Sequence, residues 1–147
     1  MLFTEYRPTP TKGVGFWGQI GIPSRGRKLH EALHDGIAYG VYPKLAKASG
    51  IEPKALARYV NIASATLGRR AQSKRFTCDE SDRLYRFAEL FKTALDLFEG
   101  DHARAREWVL KSNPGLGGRA PVEMIKTSAE HRTVLNLIGR LEHGVMA

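Results

Sequence analysis

Pro53-Lys-Ala-Leu-Ala-Arg-Tyr-Val-Asn-Ile-Ala-Ser-Ala-Thr-Leu-Gly-Arg-Arg-Ala-Gln72 is the stretch from which the fold is read. Pro53 to Val60 predicts a short helix, which proline can open because its φ is already helical and its missing N–H would have no acceptor there. Asn61 predicts a tight turn, since asparagine tolerates the left-handed conformation better than most residues that carry a side chain. Ser64 is then the expected cap of a second helix running through Gln72. Leu56, Val60, Ile62 and Leu67 supply apolar positions for a small shared core, and Ala57 is small where the two helices approach. Two short helices about a tight turn have the order of a helix-turn-helix.

The charge distribution points the same way. The net charge of the 147 residues is +8, yet residues 41 to 76 hold Lys44, Lys47, Lys54, Arg58, Arg69, Arg70, Lys74 and Arg75 against Glu52 alone. That window carries +7, residues 1 to 40 carry +2 and residues 77 to 147 carry −1. Positive charge concentrated in this way is the footprint of a polyanion-binding surface, because each neutralised phosphate releases condensed counterions. The plainer alternative is a solvated basic face. If the second helix enters a major groove of double-stranded operator DNA, Ser64, Thr66, Arg69 and Gln72 are placed to reach base edges, and Lys54, Arg58, Lys74 and Arg75 suit phosphate contact. One such module buries too little surface for a tight site, so a homodimer reading two half-sites is expected. The pattern resembles the Xre-type helix-turn-helix. It departs from it at Arg70, three residues after Leu67 where an apolar residue is usual, so the second helix is expected to end early or to tilt.

Outside this window the chain reads as further helices. Thr77-Cys-Asp-Glu80 is a capping box, followed at helical spacing by Leu84, Phe87, Phe91, Leu95 and Phe98 before Gly100. Asp101 is the expected cap of a helix through Trp108 and Leu110, and Thr127-Ser-Ala-Glu130 repeats the box ahead of Val134, Leu135, Ile138 and Leu141. Leu29, Leu33 and Ile37 give a short helix, and Val41 to Ala48 another after a stop at Gly36. Pro8, Pro10, Gly13, Gly15, Gly18, Gly21 and Pro23 exclude a long helix at the start and predict an extended arm over residues 1 to 24, anchored by Phe16 and Trp17. No segment alternates well enough for a substantial sheet. The expectation is an all-α chain: an arm at 1–24, a helix-turn-helix bundle at 25–76 and a helical region at 77–147.

The length supports one compact domain or two very small ones sharing an interface. A single cysteine, Cys78, excludes an intramolecular disulfide framework and points to a reducing compartment. No apolar run approaches the roughly twenty residues of a spanning helix, and the start lacks the apolar core of a signal peptide, so a cytoplasmic protein with no membrane partner is expected.

Asn113-Pro-Gly-Leu-Gly-Gly-Arg-Ala-Pro121 is the second informative stretch. Pro114 stops the helix before it, Gly115, Gly117 and Gly118 permit positive φ, and Pro121 suits the first turn of the next element. Geometry alone does not ask for Arg119 inside a glycine turn, nor for the closing Gly139-Arg-Leu-Glu-His-Gly-Val-Met-Ala147. Together these two patterns resemble the C-terminal toxin-binding domain of the Xre/MbcA/ParS-like antitoxins, over roughly residues 77 to 147. The resemblance implies a cognate RES-domain toxin that depletes NAD as partner, and repression of the operon encoding the pair. It also implies that Asn113, Gly118 and Arg119 of the turn and Arg140, Glu142, His143, Gly144 and Ala147 of the closing segment bind the toxin. Arg119 or Arg140 would place a cation where the dinucleotide phosphate otherwise sits in the toxin cleft. The alternative is that both arginines only bond helix ends within the chain.

His30-Glu31-Ala32-Leu33-His34 has the H-E-x-x-H spacing of a zinc protease, with both histidines on one helical face and Glu31 as the base. Such a pentapeptide arises by chance in roughly one chain per hundred. The longer pattern fails at Ile37 and Gly40, and His102, His131 and His143 have no spacing that favours any of them as a third ligand. The glycine-rich turn lacks the lysine and hydroxyl residue of a phosphate loop. No catalytic residue, metal or cofactor is therefore expected. The competing class is a stand-alone transcription regulator whose C-terminal region binds an effector or dimerises.

Overall fold

The structure, a computed structural model, describes residues 15–144. Its α-helices are α1 (Phe16–Ile20), α2 (Gly26–Asp35), α3 (Val41–Ser49), α4 (Pro53–Tyr59), α5 (Ser64–Ser73), α6 (Cys78–Leu97), α7 (His102–Leu110) and α8 (Ser128–Glu142). Two 3₁₀ turns, Pro114–Leu116 and Pro121–Met124, join α7 to α8. Among the described residues there is no strand, only an isolated antiparallel bridge between Ala38 and Arg75.

The organising element is α6, whose twenty residues span about 30 Å. Thr77 starts it with a complete capping box, its hydroxyl accepting the Glu80 N–H while the Glu80 carboxylate accepts the Thr77 N–H. Leu84, Phe87, Ala88, Leu90, Phe91 and Ala94 lie wholly inside, so α6 is surrounded rather than laid on a surface. It packs against α2 and α3 of the N-terminal part and α7 and α8 of the C-terminal part. One continuous apolar core results, running from Phe16 to Ile138.

The expected extended arm is corrected over residues 15–24, and its residues 1–14 lie outside the described residues. Phe16–Ile20 is a helix, with Gly15 and Gly21 at its two ends and Gly21 in the left-handed conformation. Only Gly18 is interior, a cost of about 1 kcal/mol that burial offsets. Phe16 stacks on Phe91 at 5.8 Å and Ile20 is fully buried. Trp17 stacks on Tyr85 at 5.5 Å, so the anchoring role expected of the two aromatic residues holds.

The junctions follow their residue types. Gly36 ends α2 at φ +94, where an added Cβ would sit 2.0 Å from the Phe76 carbonyl oxygen. Backbone bonds Phe76 N–H to Ile37 O and Tyr39 N–H to Lys74 O therefore tie the α2–α3 connection to the segment leaving α5. Asp101 caps α7 through the Arg104 N–H, and Thr127 caps α8 through the Glu130 N–H.

Candidate functional site

α4 and α5 form the helix-turn-helix. Pro53 opens α4, Asn61 takes φ +57 in the turn, and Leu56, Ala57, Val60 and Ile62 are buried beneath it. Arg83 of α6 donates from Nε to the Val60 carbonyl at 2.7 Å, closing the end of α4. Two expectations are corrected here. Ala63 holds the cap position and Ser64 is the first helical residue, so no side chain caps α5. Arg70 does not end the helix early, because α5 continues to Ser73. Its guanidinium instead donates from Nε and Nη2 to the two Glu80 oxygens, at 2.7 and 2.9 Å. This pairing, ahead of the Thr77 bonds, holds the Glu80 carboxyl down at about 2.

With Leu67 and Arg70 turned inward, the steps of about 100° per residue place Ala65, Gly68, Arg69 and Gln72 on the opposite face. All four are exposed. Ser64 is exposed at the edge of that face, whereas Thr66 is half-buried and accepts a bond from Arg69 Nη2 at 3.2 Å. Lys54, Arg58 and Lys74 are exposed, with Arg58 beside Val122, Glu123 and Lys126. Arg75 is engaged within the chain, donating to the Gly36 carbonyl at 2.7 Å. Lys44 and Lys47 belong to the same basic window but lie on α3, where with Gln19, Ala48 and His102 they line a separate cleft of about 520 Å³. Ala65 and Gly68 were not singled out by sequence. Their small size on the same helical face as Arg69 and Gln72 was the available signal.

The Asn113–Pro121 turn closes on itself. Asn113 Oδ1 accepts the Gly115 N–H at 2.8 Å, the Asn113 carbonyl accepts the Gly118 N–H at 3.0 Å, and the Ser112 hydroxyl donates to the Gly118 carbonyl at 2.7 Å. Gly117 and Gly118 have φ +68 and +87 as their type suggests, but Gly115 serves differently: its Cβ would meet Leu137 at 3.3 Å. Leu116 is buried under the turn. Arg119 Nη1 donates to Glu130 Oε2 at 2.8 Å, which with the Thr127 hydroxyl keeps the Glu130 carboxyl below its ordinary range. Beside the pair lies a shallow cavity of about 350 Å³ lined by Gly115, Leu116, Met124 and Thr133.

Arg140, Glu142, His143 and Gly144 are exposed at the far end of α8, and Ala147 lies outside the described residues. Glu130 and Arg140 are ten residues apart, about 15 Å along the helix. The structure thus separates the turn from the closing segment instead of bringing them into one cluster. Arg140 has no ion-pair partner among the described residues, whereas Arg119 has Glu130.

Sequence reasoning missed a buried polar link between α6 and α8. His131 Nε2 lies 2.9 Å from Glu89 Oε1, and the Tyr85 hydroxyl donates to the same carboxylate at 3.3 Å. The His131 bond holds the Glu89 carboxyl below its usual range, and burial raises Tyr85 to about 12. His131, Val134 and Ile138 share one helical face, and that spacing was the signal that could have placed this histidine in the interior. His30, Glu31 and His34, in contrast, are exposed, and Glu31 pairs with Arg27 at 3.3 Å. No group of three metal-ligating side chains occurs among the described residues. No helix among them is long and apolar enough to cross a membrane.

A helix-turn-helix continued through a shared helix into an exposed, internally braced turn defines a binding protein of two all-α parts. Comparisons with known families give each part a class. Residues 28–89 match the antitoxin Xre-like helix-turn-helix domain, and residues 93–144 match the antitoxin Xre/MbcA/ParS C-terminal toxin-binding domain. The two ranges meet inside α6. An Antitoxin Xre of Yersinia enterocolitica is 38% identical over 145 residues, covering 97% of this chain and 98% of that one. An Antitoxin Xre of Photorhabdus laumondii is 35% identical over 133 residues, 89% and 90% of the two chains. The chain belongs to the Antitoxin Xre family: it is a type II antitoxin with a helix-turn-helix and a toxin-binding domain, and not an enzyme.

Proposed function

We propose that this antitoxin neutralises a RES-domain, NAD-degrading toxin by occluding its cleft, and that as a homodimer it binds operator DNA to repress its own operon. The observation that carries the toxin half is the exposed turn at Asn113–Arg119, whose backbone is fixed in advance by its own bonds and by the Arg119–Glu130 pair. A surface already ordered loses little conformational freedom on docking. Arg140 is the better cation to stand in for a dinucleotide's counter-charge, because Arg119 would first have to leave Glu130. A toxin that consumes cellular NAD places the pair in the cytoplasm.

For the DNA half, the outward face of α5 offers small Ala65 and Gly68 for close approach, with Arg69 and Gln72 as hydrogen-bonding groups. Two such helices on half-sites about 34 Å apart would read one operator. The test is rescue of growth when the chain is co-expressed with its toxin. Wild type should rescue. Deletion of Glu142 to Ala147 and the Arg140→Ala variant should fail to rescue while keeping the native melting temperature. Full rescue by both would overturn the cleft-occlusion reading.

A further inference from the structure

α5 is held to the body by little of its own surface. None of its residues is buried, and only Thr66, Leu67 and Arg70 are half-buried. Arg70 grips both oxygens of Glu80 in a bidentate pair, which fixes direction as well as distance. Glu80 is itself immobile: its side chain is 10% exposed, and the capping box with Thr77 holds it at the start of α6. One turn further along α6, Arg83 holds the carbonyl of Val60 at the mouth of the turn. Both ends of the connection that aims α5 therefore rest on one helix. We propose that Glu80, acting through Arg70, is a positioning residue that sets the angle at which α5 presents Arg69 and Gln72 to a DNA groove. This rests on the DNA-binding reading above.

Positioning and simple electrostatics predict opposite signs. Glu80→Gln removes a negative charge from a basic surface, which by field alone strengthens binding to any polyanion. Loss of aim weakens binding to the preferred sequence only. The glutamine carbonyl can still accept the Thr77 N–H, so the start of α6 keeps its cap, but an amide NH2 replaces the oxygen that accepts from Arg70 Nη2, so the charged bidentate pair is lost.

The experiment uses the full chain. The duplex preferred by wild type is selected from a randomised library of about 20 bp, long enough for two half-sites. Affinities for that duplex and for a scrambled one are then measured by fluorescence anisotropy across a salt series, well below each protein's melting temperature. For Glu80→Gln the ratio of preferred to scrambled affinity should fall roughly ten-fold, the scale of one lost base contact, with scrambled binding equal or tighter. Arg70→Gln should lose the same ratio while its salt slope changes by less than about half of one phosphate contact. Preferred binding by Glu80→Gln equal to or tighter than wild type would overturn the proposal and leave the DNA reading standing. A uniform loss on both duplexes that tracks a lower melting temperature would mark a structural role and also overturn it. Absence of any preferred duplex for wild type would remove the DNA reading and this inference together.

Discussion

Glu80→Gln also has a stability consequence whose size follows from the geometry. The Glu80 carboxyl titrates at about 2 instead of 4.5, chiefly because Arg70 bonds its charged form. At about 1.4 kcal/mol per tenfold change in proton affinity, this ties roughly 3 kcal/mol of folding free energy to the charged state. Arg70 is partly exposed, at 23%, and water screening there brings the figure nearer 2 kcal/mol. The folded value lies below the unfolded one, so the stabilisation is complete above pH 4.5 and is lost as the pH falls towards 2. Less than about half of it is left at pH 3. Urea unfolding followed by helical circular dichroism should therefore show the variant about 2 kcal/mol less stable at pH 7, with that gap at least halved at pH 3. An equal gap at both pH values, or none at pH 7, would refute the reasoning.

Gly36→Ala must accommodate both φ +94 and a carbonyl oxygen 2.0 Å from the new Cβ; urea unfolding should show a loss of about 3 kcal/mol or more. Leu116→Ala, which empties a buried site beneath the glycine turn, should cost about 2–4 kcal/mol by the same method and weaken toxin capture in a pull-down. Thr127→Ala removes the cap of α8 and should lower stability by about 1 kcal/mol. Glu89→Gln removes a carboxyl that His131 holds below its ordinary range, so its cost should be present at pH 7 and shrink as the pH falls below 4.5 in acid titrations of stability.

Most of the backbone was legible because it depends on residues close in sequence. The Thr77–Glu80 box, the caps at Asp101 and Thr127, the glycine stop at Gly36 and the left-handed Asn61 are local matters of which group can satisfy which N–H or adopt which φ. Features that depend on partners far along the chain were not legible. Arg70 looked like a defect in an apolar pattern because its partner Glu80, ten residues on, was already assigned to the capping box. Residues 15–24 looked extended because their glycines and proline were counted without the aromatic surface of Phe91 and Tyr85 that receives Phe16 and Trp17. Gly115 was read as a residue needing positive φ, whereas its place in the turn is crowded by Asn113 Oδ1 and Leu137, which a Cβ would meet at 3.2 and 3.3 Å. In the candidate site, Arg69 and Gln72 were picked out by their place on the second helix, while the small outward residues Ala65 and Gly68 were not. The engagement of Arg75 with Gly36 and of Arg119 with Glu130 required the fold.

The central claim is tested most directly by expressing this chain with the product of its neighbouring gene, purifying through a tag on this chain, and assaying the co-purified partner for NAD degradation before and after separation. A stable complex that spares NAD and a separated partner that consumes it are expected. A partner equally active in the complex, or one that leaves NAD intact once freed, would contradict the claim.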